Sequence, residues 1–191
     1  FVNKLNDPKL SIDEIIDDPM EIIKKYTQFS NPKISIPSDI FLPERKNSRG
    51  YDLNDETTRT KIQNIFQRPK SQVTASSIID GKEICSNFLT IKNPGNIEES
   101  IGKVSYAEKN DVTDAVQTAS DFFLQWKNTS IEKKVTIFQQ FAELLETHQE
   151  KFIYLCVKEA GKTVGDSIND IREAIDFCLY YSSQASQIFA K

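Results

Sequence analysis

Apolar and polar positions alternate with a helical period through most of the second half of the chain. Val164, Ile168, Ile171, Ile175, Cys178, Ser182, Ala185 and Phe189 recur at intervals of three and four, one buried stripe over about seven turns. Just upstream, Gly161 is suited to the left-handed conformation that closes a helix. Thr163, with Asp166 three residues on, then forms a capping box for the next one. The opposite face of this terminal helix carries Asn169, Glu173, Asp176, Phe177, Tyr180 and Gln184. Two acids and two aromatics on a face that ought to be wet imply that something beyond water lies there.

The same periods organise the rest of the chain. Ser11 with Glu14 makes a capping box and Asp18-Pro19 a cap before a helix-starting proline, predicting short helices over 11–17 and 19–27. Residues 30–50 hold three of the seven prolines without a sustained period, which reads as an extended connector. A helix from an Asn54 cap to Gln67 follows, its apolar side being Ile62, Ile65 and Phe66. Between 70 and 109 short apolar runs are broken by Asp80-Gly81, a hairpin signal, and by Asn93-Pro-Gly95, a turn signal. These predict strands near 76–84, 86–93 and 101–107. Beyond 110 all is helical. Val112, Ala115, Val116, Ala119, Phe122, Phe123 and Trp126 form one stripe. Ile131, Val135, Phe138, Phe141, Ala142 and Leu145 form a second, capped by Thr129 with Glu132, and a short helix over 148–160 precedes the terminal one. The fold class expected is α+β, mainly helical, with two or three short strands.

Composition narrows the function. A net charge of −4 gives no electrostatic footprint for nucleic acid. No apolar run approaches the length of a spanning helix, and the first ten residues lack the apolar stretch of a signal peptide. The chain opens on Phe1 without an initiator methionine, so a cut inside a longer chain is expected. Cys85, Cys156 and Cys178 are odd in number and at no metal or redox spacing, which reads as reduced packing cysteines in a reducing, cytoplasmic compartment, the alternative being a reactive thiol. With one histidine, a metal site is not expected.

Catalytic templates are missing too. His148 extends the stripe from Leu145 and reads as a helix-end packing residue. Gly161-Lys162-Thr163 lacks the glycine five positions before Lys162, where Val157 stands, so it is a helix break and no phosphate loop. Glu44-Arg-Lys-Asn-Ser-Arg-Gly50 is a dense polar cluster, either a solvated turn or a polar anchor against another domain. The residues alone give a helical domain with a few strands and no self-contained active site.

Ile79-Asp-Gly81, Asn93-Pro94, Ile101-Gly-Lys-Val104, Ala107, the helix ending in Trp126, Glu159-Ala-Gly-Lys162 and the Tyr180-Tyr181 helix resemble, in order, the opening of an aldehyde dehydrogenase. The wording Lys158-Glu-Ala-Gly-Lys-Thr163 and Arg172-Glu-Ala-Ile-Asp-Phe177 is similar to the glutamate-semialdehyde dehydrogenase half of the bifunctional proline utilization A flavoenzymes. Phe1-Val-Asn3 resembles the end of their proline dehydrogenase barrel, and Pro43-Glu-Arg-Lys-Asn-Ser-Arg-Gly-Tyr-Asp-Leu53 their linker.

The resemblance implies a boundary. Residues 1–69 are the end of the proline dehydrogenase region and the linker, and 70–191 the N-terminal part of an aldehyde dehydrogenase domain. It implies FAD for the first enzyme and NAD for the second, with neither cofactor site in this chain. The catalytic cysteine, glutamate and asparagine of such an enzyme lie outside it, so the isolated chain is expected to be inactive. Glu173 and Phe177 are implied to face the aldehyde tunnel; the periodicity agrees, since Glu173 lies on the opposite side from Ile175. The expected partners are the missing parts of the parent enzyme, with self-association through exposed apolar faces. The alternative reading, from another class, is a helical interaction or scaffold module without enzymatic activity.

Overall fold

In the computed structural model, residues 6–27, 31, 33–67 and 72–189 are described. Contacts divide the chain into two units, residues 1–36 and 37–191. The first contains α1 (Ile12–Ile16), with the Ser11–Glu14 capping box, and α2 (Pro19–Lys24), capped by Asp18, whose carboxylate accepts the Met20 N–H at 2.9 Å. α2 ends three residues before the expected boundary, and neither helix has a buried residue. The resemblance at Phe1-Val-Asn3 lies outside the described residues.

In the second unit, Thr163 accepts the Asp166 N–H at 3.1 Å and donates its hydroxyl to the Asp166 carboxylate at 2.7 Å. This cap, with Asp166 bonded to the Thr163 hydroxyl instead of the backbone N–H that the predicted capping box requires, starts the longest helix, whose label follows from chain order. Before it come a 3-10 turn (Pro37–Asp39), α3 (Glu56–Gln67), strands β1 (Val73–Ile79), β2 (Lys82–Ile84), β3 (Phe88–Asn93) and β4 (Asn96–Ser105), α4 (Lys109–Asn128), α5 (Ile131–Thr147) and α6 (Gln149–Ala160). The helix that Thr163 starts is α7 (Val164–Phe189).

The core is helical. Ile62 and Ile65 of α3, Ala142 of α5, Ile153 of α6, and Ile168, Ile171 and Ile175 of α7 form one buried cluster. A fully buried isoleucine contributes about 1.5–3 kcal/mol, so this cluster holds the four helices together. The predicted stripe of α7 is the one that faces it, up to the buried Ser182. Phe189 departs from the stripe and is exposed. Gly161 ends α6 at φ 66°, as its lack of a side chain allows.

Two caps sit one residue beyond their predicted positions. Asp55, not Asn54, accepts the Thr58 N–H at 2.8 Å, and Ser130, not Thr129, accepts the Lys133 N–H at 3.3 Å. Both neighbours are polar, so periodicity alone does not choose between them. The hydrogen bonds from Thr57 and Thr58 pull the Asp55 carboxyl down to about 2. His148 is exposed rather than packed. Its φ −100°, ψ 15° interrupts the helix between α5 and α6, and the break turns Gln149 inward instead.

The strands form one sheet in the order β2-β1-β4-β3, with β1–β2 and β3–β4 antiparallel and β1–β4 parallel. Asp80 (φ 51°) and Gly81 (φ 70°) turn β1 into β2, splitting the single strand expected over 76–84. β4 begins at Asn96, five residues before the expected 101, because the Asn93–Asn96 turn pairs it with β3 from its first residue. At Gly102 an added Cβ would stand 2.1 Å from the Val73 carbonyl oxygen, so only glycine admits the parallel pairing. The β3–β4 turn is pinned to α6: Lys158 Nζ donates to both Glu99 oxygens at 2.9 and 3.0 Å, and Asn93 Nδ2 donates to Glu99 at 2.7 Å. Those bonds, Lys158's foremost, hold the Glu99 carboxyl below the usual carboxylate range.

α4 has the predicted stripe but no buried residue, and Val116, Phe123 and Leu124 are more than half exposed. Among the described residues no helix is long and apolar enough to cross a membrane.

Candidate functional site

The outer face of α7 is where the sequence placed its candidates, and residues 41–50 run along it as a strap. The polar cluster within the expected connector is therefore an anchor, but to a helix of its own unit and not to another domain. Ser48, only 5% exposed, donates its N–H to Asp176 Oδ1 at 2.9 Å and its hydroxyl to Oδ2 at 2.7 Å. Arg45 reaches the same carboxylate at 3.4 Å, with its guanidinium 4.0 Å over the Phe41 ring and 6.0 Å from the Tyr180 ring. Arg172 Nε donates to Ser48 Oγ at 3.3 Å. Toward the end of α7, Ser183 and Gln184 both donate to Glu44 Oε1 at 3.1 Å. Arg49 donates its N–H to Glu146 at 2.9 Å and receives Gln149 Nε2 on its carbonyl at 3.2 Å. The strap runs antiparallel to α7, meeting it about once per turn.

This docking divides the face. Asp176, Tyr180 and Gln184 belong to the strap. Phe177 points the other way, half exposed, its ring centroid 6.0 Å from that of Tyr181. Together they line a groove of about 410 Å³ with Trp126, Phe138 and Phe189. Lys134 Nζ stands 5.2 Å over the Trp126 ring at its rim. Glu173 lies between the two territories, one turn before Phe177, exposed and outside the groove. It has no hydrogen-bond or ion-pair partner among the described residues. Tyr180, placed with Phe177 by helical spacing alone, is on the strap side. Sequence reasoning marked both Asp176 and the cluster 44–50 without joining them. Only the tertiary fold brings together residues 128 positions apart.

Nucleophilic chemistry finds little support here. Burial pushes the Cys156 and Cys178 thiols above their ordinary value, the reverse of thiolate activation. Both half-pack as expected, whereas Cys85 is exposed, so its packing role does not hold. No group of metal-ligating side chains occurs among the described residues. Carboxylates cap the starts of α4 and α7. Asp111 already accepts the Glu108 N–H at 2.7 Å at the start of α4, and Asp166 occupies the start of α7. A pyrophosphate would meet carboxylates at both.

Comparison with known proteins gives a consistent neighbourhood. The aldehyde dehydrogenase family matches residues 82–191. The bifunctional protein PutA of Salmonella typhimurium is 30% identical over 99% of this chain and 15% of its own length. The 1-pyrroline-5-carboxylate dehydrogenase 2 of Bacillus subtilis is 32% identical over 58% of this chain and 22% of its own. The crystal structure of proline utilization A from Bdellovibrio bacteriovorus superposes with a TM-score of 0.70 at 26% identity, over 76% of this chain and 16% of that one. The chain thus spans about 15% of the length of the bifunctional relatives it matches.

Proposed function

This chain belongs to the aldehyde dehydrogenase family, and from that premise we propose that it is the linker and N-terminal helical part of a bifunctional proline-catabolising enzyme. The parent oxidises proline with FAD and then oxidises the resulting glutamate semialdehyde to glutamate with NAD. Residues 1–69 are the end of the proline dehydrogenase region and the linker, and 70–191 open the second enzyme. The chain contributes no catalytic group and no cofactor site of its own. Its partners are the remaining parts of the parent, and its compartment is the cytoplasm.

The observation that carries this reading is reach. The family match begins at residue 82, whereas similarity to the bifunctional protein runs over 99% of the chain. That span exceeds the 75% of the chain matched by the 1-pyrroline-5-carboxylate dehydrogenase of Staphylococcus haemolyticus, which supports a bifunctional type for the segment preceding the dehydrogenase; the strap is fastened to α7 by named contacts. In the assembled enzyme, Glu173 and Phe177 line the aldehyde tunnel. Glu173 faces the substrate ammonium, and Phe177 supplies an apolar wall. Exposure of both side chains, and a Glu173 carboxylate without a partner among the described residues, support this assignment. The test is to feed proline to the full-length polypeptide with NAD⁺ and an electron acceptor for the flavin. Glutamate and NADH are the expected products, and absence of both overturns the proposal.

A further inference from the structure

Two carboxylates stand three residues apart on the outer face of α7, and the strap treats them differently. Asp176 accepts two hydrogen bonds from Ser48 and meets Arg45 at 3.4 Å. Glu173, about 5–6 Å away between Cβ atoms by helix geometry, has no partner among the described residues. Arg45 is itself fixed, since its guanidinium stacks on Phe41, donates to the Lys46 carbonyl at 3.2 Å and is only 13% exposed. A cation held this way cancels the charge of Asp176 without being free to swing to Glu173.

We propose that Arg45 and Asp176 are specificity-determining residues that set the charge of this face, so that Glu173 remains its one carboxylate without a partner among the described residues, the counter-charge for the ammonium of an amino-acid-derived aldehyde. The inference rests on the reading that Glu173 meets that ammonium, and adds what keeps the neighbouring charges from competing. Arg172, bonded to Ser48, Asp170, bonded to Lys162, and Glu44, bonded to Ser183 and Gln184 farther along α7, stay constant in the variants below.

The charge arithmetic predicts opposite signs. Asp176→Asn leaves Arg45 as an unpaired cation that repels the ammonium. Arg45→Gln leaves Asp176, still bonded to Ser48, as a second negative charge without a cation, which attracts it. Removing both restores the balance. At such separations, in a partly screened medium, each single change amounts to about three- to tenfold in KM.

The experiment is steady-state kinetics on the full-length enzyme with glutamate semialdehyde and with an uncharged short aliphatic aldehyde. Asp176→Asn raises KM for the charged substrate, Arg45→Gln lowers it, and the double variant returns within about twofold of wild type. KM for the uncharged aldehyde stays put in all three. If the single and double variants shift KM the same way, or the uncharged aldehyde suffers equally, the pair only holds the strap and the inference is overturned. Should Asp176→Asn fail to fold, the sign of Arg45→Gln still decides. Glu173→Gln separates the two failures. An unchanged KM there overturns the site reading itself. A raised KM there, with flat Arg45 and Asp176 variants, overturns only this inference.

Discussion

Ser48 and Asp176 are 128 residues apart in sequence and joined by two hydrogen bonds, at 2.9 and 2.7 Å. One serine satisfies both oxygens of a carboxylate that would otherwise lie half-desolvated under the strap. Replacing Ser48 by alanine removes the hydroxyl donor and leaves Oδ2 short of a partner. A hydrogen bond to a charged group at a partly buried site contributes about 1–2 kcal/mol. For a chain of this size that lowers Tm by about 2–8 °C. Thermal unfolding followed by circular dichroism reads it; an unchanged Tm means that the strap is docked by its other contacts alone.

Glycine is required at two places for different reasons. At Gly161 the backbone is left-handed, and an added Cβ would also press on Pro94 Cγ at 3.1 Å. Gly161→Ala is expected to cost about 1–2 kcal/mol. At Gly102 the obstacle is the Val73 carbonyl at 2.1 Å, which no rotamer can avoid. Gly102→Ala therefore costs more than Gly161→Ala, and amide exchange accelerates in β1. Equal losses in urea unfolding would show that the β1–β4 pairing tolerates a side chain.

These positions also mark how far the sequence could be read. The α7 stripe was legible because Ile168, Ile171 and Ile175 repeat at helical spacing and all face one core. Asp80-Gly81 was legible because few other pairs accept two positive φ values in succession. The parallel β1–β4 pairing was not, since it depends on a backbone approach at Gly102 that leaves no periodic trace. The first turn of β4, Asn96-Ile-Glu-Glu-Ser100, has little apolar signal and becomes strand through its neighbour. The α4 stripe is present in sequence, yet it buries none of its residues. At the candidate site, helix phase put Glu173 and Phe177 on the outer face. The separation of Tyr180 from Phe177 needed the strap's path, which local patterns do not encode.

The N-cap of α3 sets an acid limit. The Asp55 carboxyl is depressed from 3.8 to about 2, chiefly by its bond from the Thr57 hydroxyl and then by those from Thr58. A depressed carboxyl contributes stability that is fully present above its unfolded value and lost as pH falls through its folded one. The contribution therefore disappears between about pH 4 and pH 2. Asp55→Asn keeps a capping oxygen and removes the titration. Between those pH values the unfolding midpoint of wild type is expected to fall toward that of the variant; a constant gap contradicts the assignment.

Exposed apolar side chains on α4 and around the Trp126–Phe177 groove exceed what a solitary small protein ordinarily leaves uncovered. The isolated chain is expected to associate with itself and to bind a hydrophobic dye. Light scattering over a concentration series reads this. A strict monomer at high concentration without dye binding contradicts it.

In the full-length enzyme, Glu173→Ala removes the anion proposed to face the substrate ammonium. A partly desolvated charge pair is worth about 1–3 kcal/mol, or about five- to 150-fold in kcat/KM. The loss is expected in KM for the semialdehyde, with NAD⁺ affinity and Tm unchanged. Unchanged kinetics would make Glu173 an ordinary solvated side chain, and a lowered Tm would make it structural.

The most direct measurement compares NADH formation from glutamate semialdehyde by the 191-residue chain and by the full-length polypeptide that contains it. The account predicts turnover for the full-length protein and none above the buffer blank for the chain alone. Turnover by the isolated chain that survives replacement of Cys85, Cys156 and Cys178, or an inactive full-length protein, would contradict it.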